Sequence, residues 1–224
     1  MISFLQKFIN TFLFKFFFNP LIKIIFLKNK MQKLLLNKNK LRWQASDDIN
    51  FSSVKHYTQL PKDGPEIELL NEIKKICKND DKILDLGSNC GRFSNNLFES
   101  GFKDLHAVDI SPEAKKKMSE VFPDLYKNVN FSVSSFDDFF SEIPDNHYDI
   151  VFTMGATIDL IHPIYDIASQ VSRVSSKYLI LQLQEKGQPY IRFWDFEFEL
   201  NNFERINKNN NIFPNFNLRI YKKF

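Results

Sequence analysis

From residue 65 onward, short runs of apolar, β-type residues alternate with stretches whose apolar positions recur at helical spacing. That alternation restricts the chain to a mostly parallel sheet with helices on both faces. Pro65 opens a helix through Ile76, with Ile67, Leu69, Leu70, Ile73 and Ile76 on one side. Lys82–Gly87 is the first strand, Phe93–Ser100 the next helix and Leu105–Asp109 the second strand. Ser111 and Pro112 supply an N-cap and a first-turn proline for a helix to Phe122. Val129–Val133, Asp149–Met154 and Lys177–Leu183 are the third to fifth strands, with a helix from Pro163 to Ser172 before the fifth. In the tail, Asp195–Phe203 is helix-like, Asn207–Asn211 is turn-rich and Phe216–Tyr221 alternates as an edge strand does. The expectation is a seven-stranded-type sheet, shortened at its C-terminal end.

The most informative stretch is Asp85-Leu-Gly87-Ser-Asn-Cys-Gly91, where the first strand turns into a helix at the carboxyl edge of the sheet. Gly87 tolerates positive φ and close approach of a ligand, Asn89 is among the few other residues that enter the left-handed region, and Gly91 permits close packing as the helix begins. A Walker A loop is excluded because no Gly-Lys-Ser/Thr follows. A dinucleotide fingerprint fits poorly, since its second and third glycine positions are Asn89 and Arg92.

The loop resembles motif I of the class I S-adenosylmethionine (SAM)-dependent methyltransferases, an acidic residue followed by Gly-x-Gly-x-Gly, with Asn89 as the departure. Asp109 ends the second strand 22 positions after Gly87, where a carboxylate accepts both ribose hydroxyls in that family. Ser134-Ser135-Phe136 follows the third strand, where the family holds the adenine, and Ser135 replaces the usual aspartate. Phe152–Pro163 resembles the segment after the fourth strand that lines the methyl and acceptor region. The resemblance covers Pro65 to Leu183. It implies a Rossmann-like class I fold with SAM as cofactor, Asp85 at the methionine amino group, Gly87, Ser88, Asn89 and Gly91 in the loop, Asp109 and Ile110 at the ribose, Ser135 and Phe136 at the adenine, and Met154 near the methyl.

The implied chemistry is an in-line displacement at a sulfonium methyl, in which the protein positions and desolvates the reactants. An oxygen acceptor also benefits from a general base. His162 and Asp159, in the segment after the fourth strand, are the candidate catalytic residues, with Glu185 at the end of the fifth strand a further carboxylate; histidine has a suitable ordinary pKa. His56 and Tyr57 are candidates for a lid, and Trp194 with the Phe193–Phe198 run either lines a pocket or packs in the core. Cys90 reads as a packed loop residue, not a nucleophile. No Cys/His or His/carboxylate spacing indicates a metal site.

Composition adds a division. Nine of the 30 basic residues and none of the 27 acidic ones precede Asp47, which leaves 21 basic against 27 acidic residues, a net of −6, downstream. An arm of charge +9, residues 1–46, thus precedes an acidic domain, residues 47–224. Lys7, Lys15 and Lys23 interrupt the arm's apolar runs, too short for a membrane span. Leu5, Phe8, Ile9, Phe12 and Phe16 share a helical face, the pattern of an interfacial helix. Peripheral membrane contact through residues 1–36 fits, as does a helical pair packed on the domain or on a second subunit of an oligomer. With no cleavage signal and two cysteines, the expected location is the cytoplasm, or the inner face of its membrane. The expected function is methyl transfer to a small molecule or glycan precursor, on oxygen, with no nucleic-acid partner. A lipid or quinone acceptor at the membrane surface and a SAM-binding protein without turnover are the alternatives.

Overall fold

The structure is a computed structural model that describes residues 57–155, 157–184, 188, 190–207, 213 and 215–224, together with Lys30 and Leu34. The chain divides into residues Met1–Asn39 and Lys40–Phe224, and the sheet with its helices belongs to the second unit. The amphipathic pattern of residues 1–36 therefore lies outside the described residues, apart from two positions. Among the described residues, no helix is long and apolar enough to cross a membrane.

Helix α1 (Pro65–Ile76) leads into β1 (Ile83–Leu86), followed by α2 (Arg92–Glu99), β2 (Leu105–Asp109), α3 (Pro112–Val121), α4 (Pro123–Asn128) and β3 (Asn130–Val133). The second half runs α5 (Phe136–Glu142), β4 (Tyr148–Met154), a 3-10 turn (Ile158–Leu160), α6 (Ile167–Val174), β5 (Ser175–Gln184), α7 (Trp194–Glu199), β6 (Phe203–Arg205) and β7 (Phe216–Lys223). The sheet order is β3-β2-β1-β4-β5-β7-β6. β1 to β5 are parallel, and β7 pairs antiparallel with both β5 and β6. The chain winds outward from β1 to β3 and then returns to the other side of β1 at β4. That reversal opens a crevice at the carboxyl ends of β1 and β4, where folds of this kind take ligands.

Helices on both faces explain why β1 is buried at every residue and reads as an unbroken apolar run. On one face Leu69 and Ile73 of α1, Leu97 of α2 and Met118 of α3 pack against Ile83, Leu105, Phe152 and Ile180. Each large side chain withdrawn from water in this way contributes about 1.5–3 kcal/mol. On α3 the predicted cap is present: Ser111 Oγ accepts from the Ala114 N–H at 3.4 Å.

Three expectations need correction. The sheet is not shortened at its C-terminal end, because Phe203–Arg205 adds β6. β6 pairs only with Tyr221–Lys223, so Phe216–Ile220 keeps the edge position expected of it, while the helix expected over Asp195–Phe203 ends at Glu199; a three-residue strand carries too short an alternation to be read from sequence. The helix expected at Pro163–Ser172 begins at Ile167, since Asp166 caps it by accepting from the Ser169 N–H at 3.0 Å.

The C-terminal part of the chain is tied down by ion pairs. Asp195 of α7 accepts from Tyr221 Oη and Arg219 of β7, both at 2.7 Å, and from Arg205 of β6 at 3.0 Å. Trp194 is buried and stacks on Phe198 with ring centroids 5.7 Å apart, so it belongs to the core, whereas Phe193 and Phe196 are exposed.

Candidate active site

The loop after β1 is built on three positive-φ residues: Gly87 (72°), Asn89 (50°) and Gly91 (81°). At Gly87 a Cβ would stand 2.5 Å from Thr157 Cγ2, so no side chain fits between this loop and the segment after β4. Asn89, at the middle glycine position, adopts the left-handed conformation and caps the turn with its own side chain: Oδ1 accepts from the Cys90 N–H at 2.7 Å. Asn89 therefore does the conformational work of the glycine it replaces. Ser88 is buried, its amide donating to the Val108 carbonyl at 3.1 Å.

Two carboxyls frame this loop. Asp85 is 2% exposed and accepts from Ser94 Oγ of α2 at 2.8 Å. Burial pushes it up to about 7, with the Ser94 hydroxyl pulling the other way and the charge of Asp109 adding to the rise. Asp109 accepts from the Asn89 N–H and the Ser111 N–H, both at 2.9 Å, on different oxygens. Those bonds oppose a rise caused by burial. They also clamp the β1 loop to the end of β2 and leave each oxygen a further lone pair for a ligand hydroxyl. Ile110 is partly buried beside it.

At the end of β3, Ser135 precedes α5 and its hydroxyl lies 2.8 Å from Asp137 Oδ1 and 2.7 Å from Asp138 Oδ2. Its single proton is donated to that pair, which turns its side chain toward its own helix. Phe136 begins α5 and packs at 6.1 Å, centroid to centroid, from Phe140.

On the other side of the crevice, the segment after β4 is fastened to β5. Asp159 is 2% exposed; one oxygen accepts from the Thr157 N–H at 2.8 Å and the other from the Gln184 N–H at 3.1 Å. Burial pushes it up to about 7 against those amide bonds. His162 Nδ1 accepts from the Ile164 N–H at 3.1 Å, so its neutral ring carries the proton on Nε2 and presents a donor. Its ring meets Tyr190 edge-on at 4.9 Å. The structure thus brings Asp159 and His162 to the predicted edge, each with an acceptor atom engaged by backbone. Met154 ends β4 opposite Gln182 of β5. Glu185 and His56 lie outside the described residues.

Tyr57 lies across the loop: the Cys90 thiol donates to its carbonyl at 2.9 Å and the Arg92 guanidinium stands 5.0 Å from its ring. Arg92 also donates to the Gln59 carbonyl at 3.0 Å. Cys90 is fully buried and burial pushes its thiol up to about 11, which removes it from nucleophilic chemistry at neutral pH. Two residues that no motif marks also reach this edge, Glu68 of α1 and Gln182 of β5, 3.4 Å apart. The available signal is a glutamine inside the apolar run of β5.

These residues fit SAM: a loop that admits backbone approach, a buried carboxyl for an ammonium, and a strand-end carboxylate with spare lone pairs for ribose hydroxyls. Fold, loop and strand-end acid are those of a class I SAM-dependent methyltransferase domain. Residues 83–177 match the family described as methyltransferase domain, whose cofactor is SAM. The chain is 29% identical over 130 residues to the eEF1A lysine and N-terminal methyltransferase homolog of Drosophila melanogaster, a match covering 57% of this chain and 19% of that protein. It is 30% identical over 129 residues to the protein of the same name from Drosophila pseudoobscura pseudoobscura, covering 57% and 18%. The matched part thus spans about a fifth of the length of these curated relatives. Among solved structures, the Burkholderia thailandensis 1,6-didemethyltoxoflavin-N1-methyltransferase with bound 1,6-didemethyltoxoflavin and S-adenosylhomocysteine has a TM-score of 0.61 at 13% identity, covering 87% of this chain and 89% of that one. Magnesium protoporphyrin IX methyltransferase from Synechocystis with bound SAM has a TM-score of 0.57 at 15% identity, covering 88% and 97%. At these identities the likeness speaks for the fold.

Proposed function

We propose that this chain transfers a methyl group from SAM to an amine nitrogen of a protein, a lysine side chain or an amino terminus. The observation that carries the choice of nitrogen is the state of His162. His162 offers a donor where a base needs an open lone pair, while Asp159, whose two oxygens hold the Thr157 and Gln184 N–H groups, is committed to fixing the chain although each oxygen keeps a lone pair. A hydroxyl is a weak nucleophile until a base takes its proton. An amine that arrives neutral attacks through a lone pair it already has. The expectation of an oxygen acceptor on a small molecule leans on such a base, and His162, with Nδ1 engaged by the Ile164 N–H, is not one. The curated relatives support nitrogen as well, since their names specify lysine and N-terminal methylation.

When bound, SAM supplies a methyl group on a positively charged sulfur, a leaving group already activated. In this reading the Asp85 carboxyl and the 87–91 loop hold its amino-acid end, Asp109 holds the ribose and Phe136 flanks the adenine. Asp159 fixes the segment after β4 against the end of β5, and so sets the wall that the acceptor meets. His162 Nε2–H orients the acceptor or its flanking backbone by donating to it.

The test uses the full chain, methyl-labelled SAM and two acceptor panels. One panel holds lysine-containing peptides and peptides with free amino termini, and the other holds sugars, phenols and quinols. Label on amines is the expected result. Label confined to the hydroxyl panel would overturn the proposal.

A further inference from the structure

At the carboxyl end of β5, Gln182 is fully buried, yet its carbonyl oxygen Oε1 has no hydrogen-bond partner. A buried acceptor without a donor is uncommon in folded proteins and calls for a reason. Its amide nitrogen donates to Glu68 Oε2 of α1 at 3.4 Å, a long contact for an N–H to a carboxylate. Glu68 itself is partly buried, and burial raises it above its ordinary value, with the Gln182 contact opposing and Glu72 adding. The Gln182 amide nitrogen thus meets the Glu68 carboxylate across a loose contact while Oε1 beside it has no donor, and no described lysine or arginine is in ion-pair distance of Glu68.

Their position is defined by the sheet. Gln182 pairs with Met154 across β4 and β5, and its main-chain carbonyl accepts from the Gly155 N–H at 2.7 Å. The pair thus lies beside the end of β4, one strand further from the β1 loop, roughly two strand spacings or about 10 Å from Gly87. The cofactor carboxyls Asp85 and Asp109 stand on β1 and β2, on the other side of β4. α1 brings Glu68 there because it packs on β5 and β7, with its first turn held to α2 through Glu66 and Arg92.

We propose that Glu68 and Gln182 form the subsite that receives the N–H groups of the acceptor amine. The proposal rests on the nitrogen acceptor argued above. An entering amine donates one hydrogen to Gln182 Oε1 and one to the Glu68 carboxylate, whose other oxygen keeps the Gln182 amide. Because both oxygens can only accept, the subsite favours an amine over an ether or thioether, which has no hydrogen to give. The same chemistry would also suit the ammonium of the cofactor's amino-acid end, and the test separates the two sources.

The probes are S-adenosylhomocysteine and sinefungin, in which an amine-bearing carbon replaces the sulfur and so places N–H groups at the point where the methyl leaves. Calorimetry on the full chain compares the parent with Glu68→Gln and Gln182→Leu. The expected result is a preference for sinefungin in the parent that falls about tenfold in each variant, with S-adenosylhomocysteine binding unchanged. Unchanged S-adenosylhomocysteine affinity also shows that the variant is folded. Equal losses for both probes would place the pair on the cofactor's ammonium and overturn the proposal. No change in either, or no sinefungin preference in the parent, would overturn it too. A hydroxyl-only result in the acceptor screen, with the sinefungin preference lost in the variants as expected, would instead sink the amine acceptor while leaving an N–H subsite in place.

Discussion

Asp85 is held at a disadvantage in the free domain, and the size of that disadvantage can be measured. It is 2% exposed, its described partner is the neutral Ser94 hydroxyl at 2.8 Å, and burial pushes it from 3.8 up to about 7. In the unfolded chain it ionises near 3.8, so from there to pH 7 the folded chain holds the extra proton and stability falls as pH rises. Each pKa unit corresponds to about 1.4 kcal/mol. The ionised group therefore destabilises the fold by about 4 kcal/mol above pH 7, of which about 1.5 kcal/mol is already present at pH 5. Asp85→Asn keeps the shape and an oxygen for the Ser94 hydroxyl but cannot ionise. In urea unfolding without SAM, the variant's advantage over the parent is expected to grow by about 2–3 kcal/mol between pH 5 and pH 8 and to level off above pH 7. Its affinity for SAM is expected to fall at least about tenfold, because the positive ammonium that the carboxylate awaits then meets a neutral amide. A stability difference that does not change between the two pH values would refute the reasoning.

The same geometry carries three further outcomes. Gly87→Ala places a Cβ at φ 72° and 2.5 Å from Thr157 Cγ2, which should destabilise the domain by about 1–3 kcal/mol in thermal unfolding and weaken SAM binding. Asp109→Asn removes the charge while keeping an oxygen for a backbone amide; its SAM dissociation constant should rise about tenfold by calorimetry, and an unchanged value would show that the ribose lies elsewhere. Asp195 is held below its ordinary 3.8: burial works against this, but the Tyr221 hydroxyl and the Arg219 and Arg205 guanidiniums outweigh it. Its contribution is thus present above pH 4 and lost as pH falls through the lowered value, so Asp195→Asn should cost about 1 kcal/mol at pH 7, screened by its partial exposure, and less at pH 3 in urea melts.

The parts of this fold legible in the sequence are those whose signal is local. β1, β2, β4 and the second half of β5 are largely buried on both faces, so each reads as an apolar run, and the loop after β1 is written in consecutive residues whose φ angles demand glycine or asparagine. Asp109 is legible because the strand–helix–strand unit sets its distance from that loop. β6 is not, because Phe203–Arg205 is held by pairing with β7 and by Asp195, neither of which leaves a trace in three residues. α5 is not read from the sequence, because its Ser135–Asp138 start looks like turn chemistry, which serves helix starts equally well. Glu68 and Gln182 escape for a deeper reason: they are 114 positions apart, and only the sheet order and the packing of α1 on β5 bring them together.

The two edges of the sheet differ in how their buried charges are compensated, and that difference locates function more sharply than any motif. At the amino edge, Lys177 Nζ lies 2.7 Å from Asp81 Oδ1 and 3.1 Å from Asp149 Oδ1; Asp149 also accepts from the Lys82 N–H at 2.9 Å and sits below its ordinary value, burial being outweighed by these partners. Lys82 in turn meets His147 at 2.7 Å. Those groups satisfy one another and leave a ligand nothing to add. At the carboxyl edge, Asp85 and Asp159 are pushed up to about 7, and Gln182 Oε1 has no donor. Each of these is a buried acceptor that the fold itself leaves short of positive charge or hydrogen. A site built this way stabilises a cationic, N–H-rich ligand by relieving costs already present in the free domain, so ligand affinity and ligand-free instability should rise and fall together across substitutions at this edge, and be unrelated at the other.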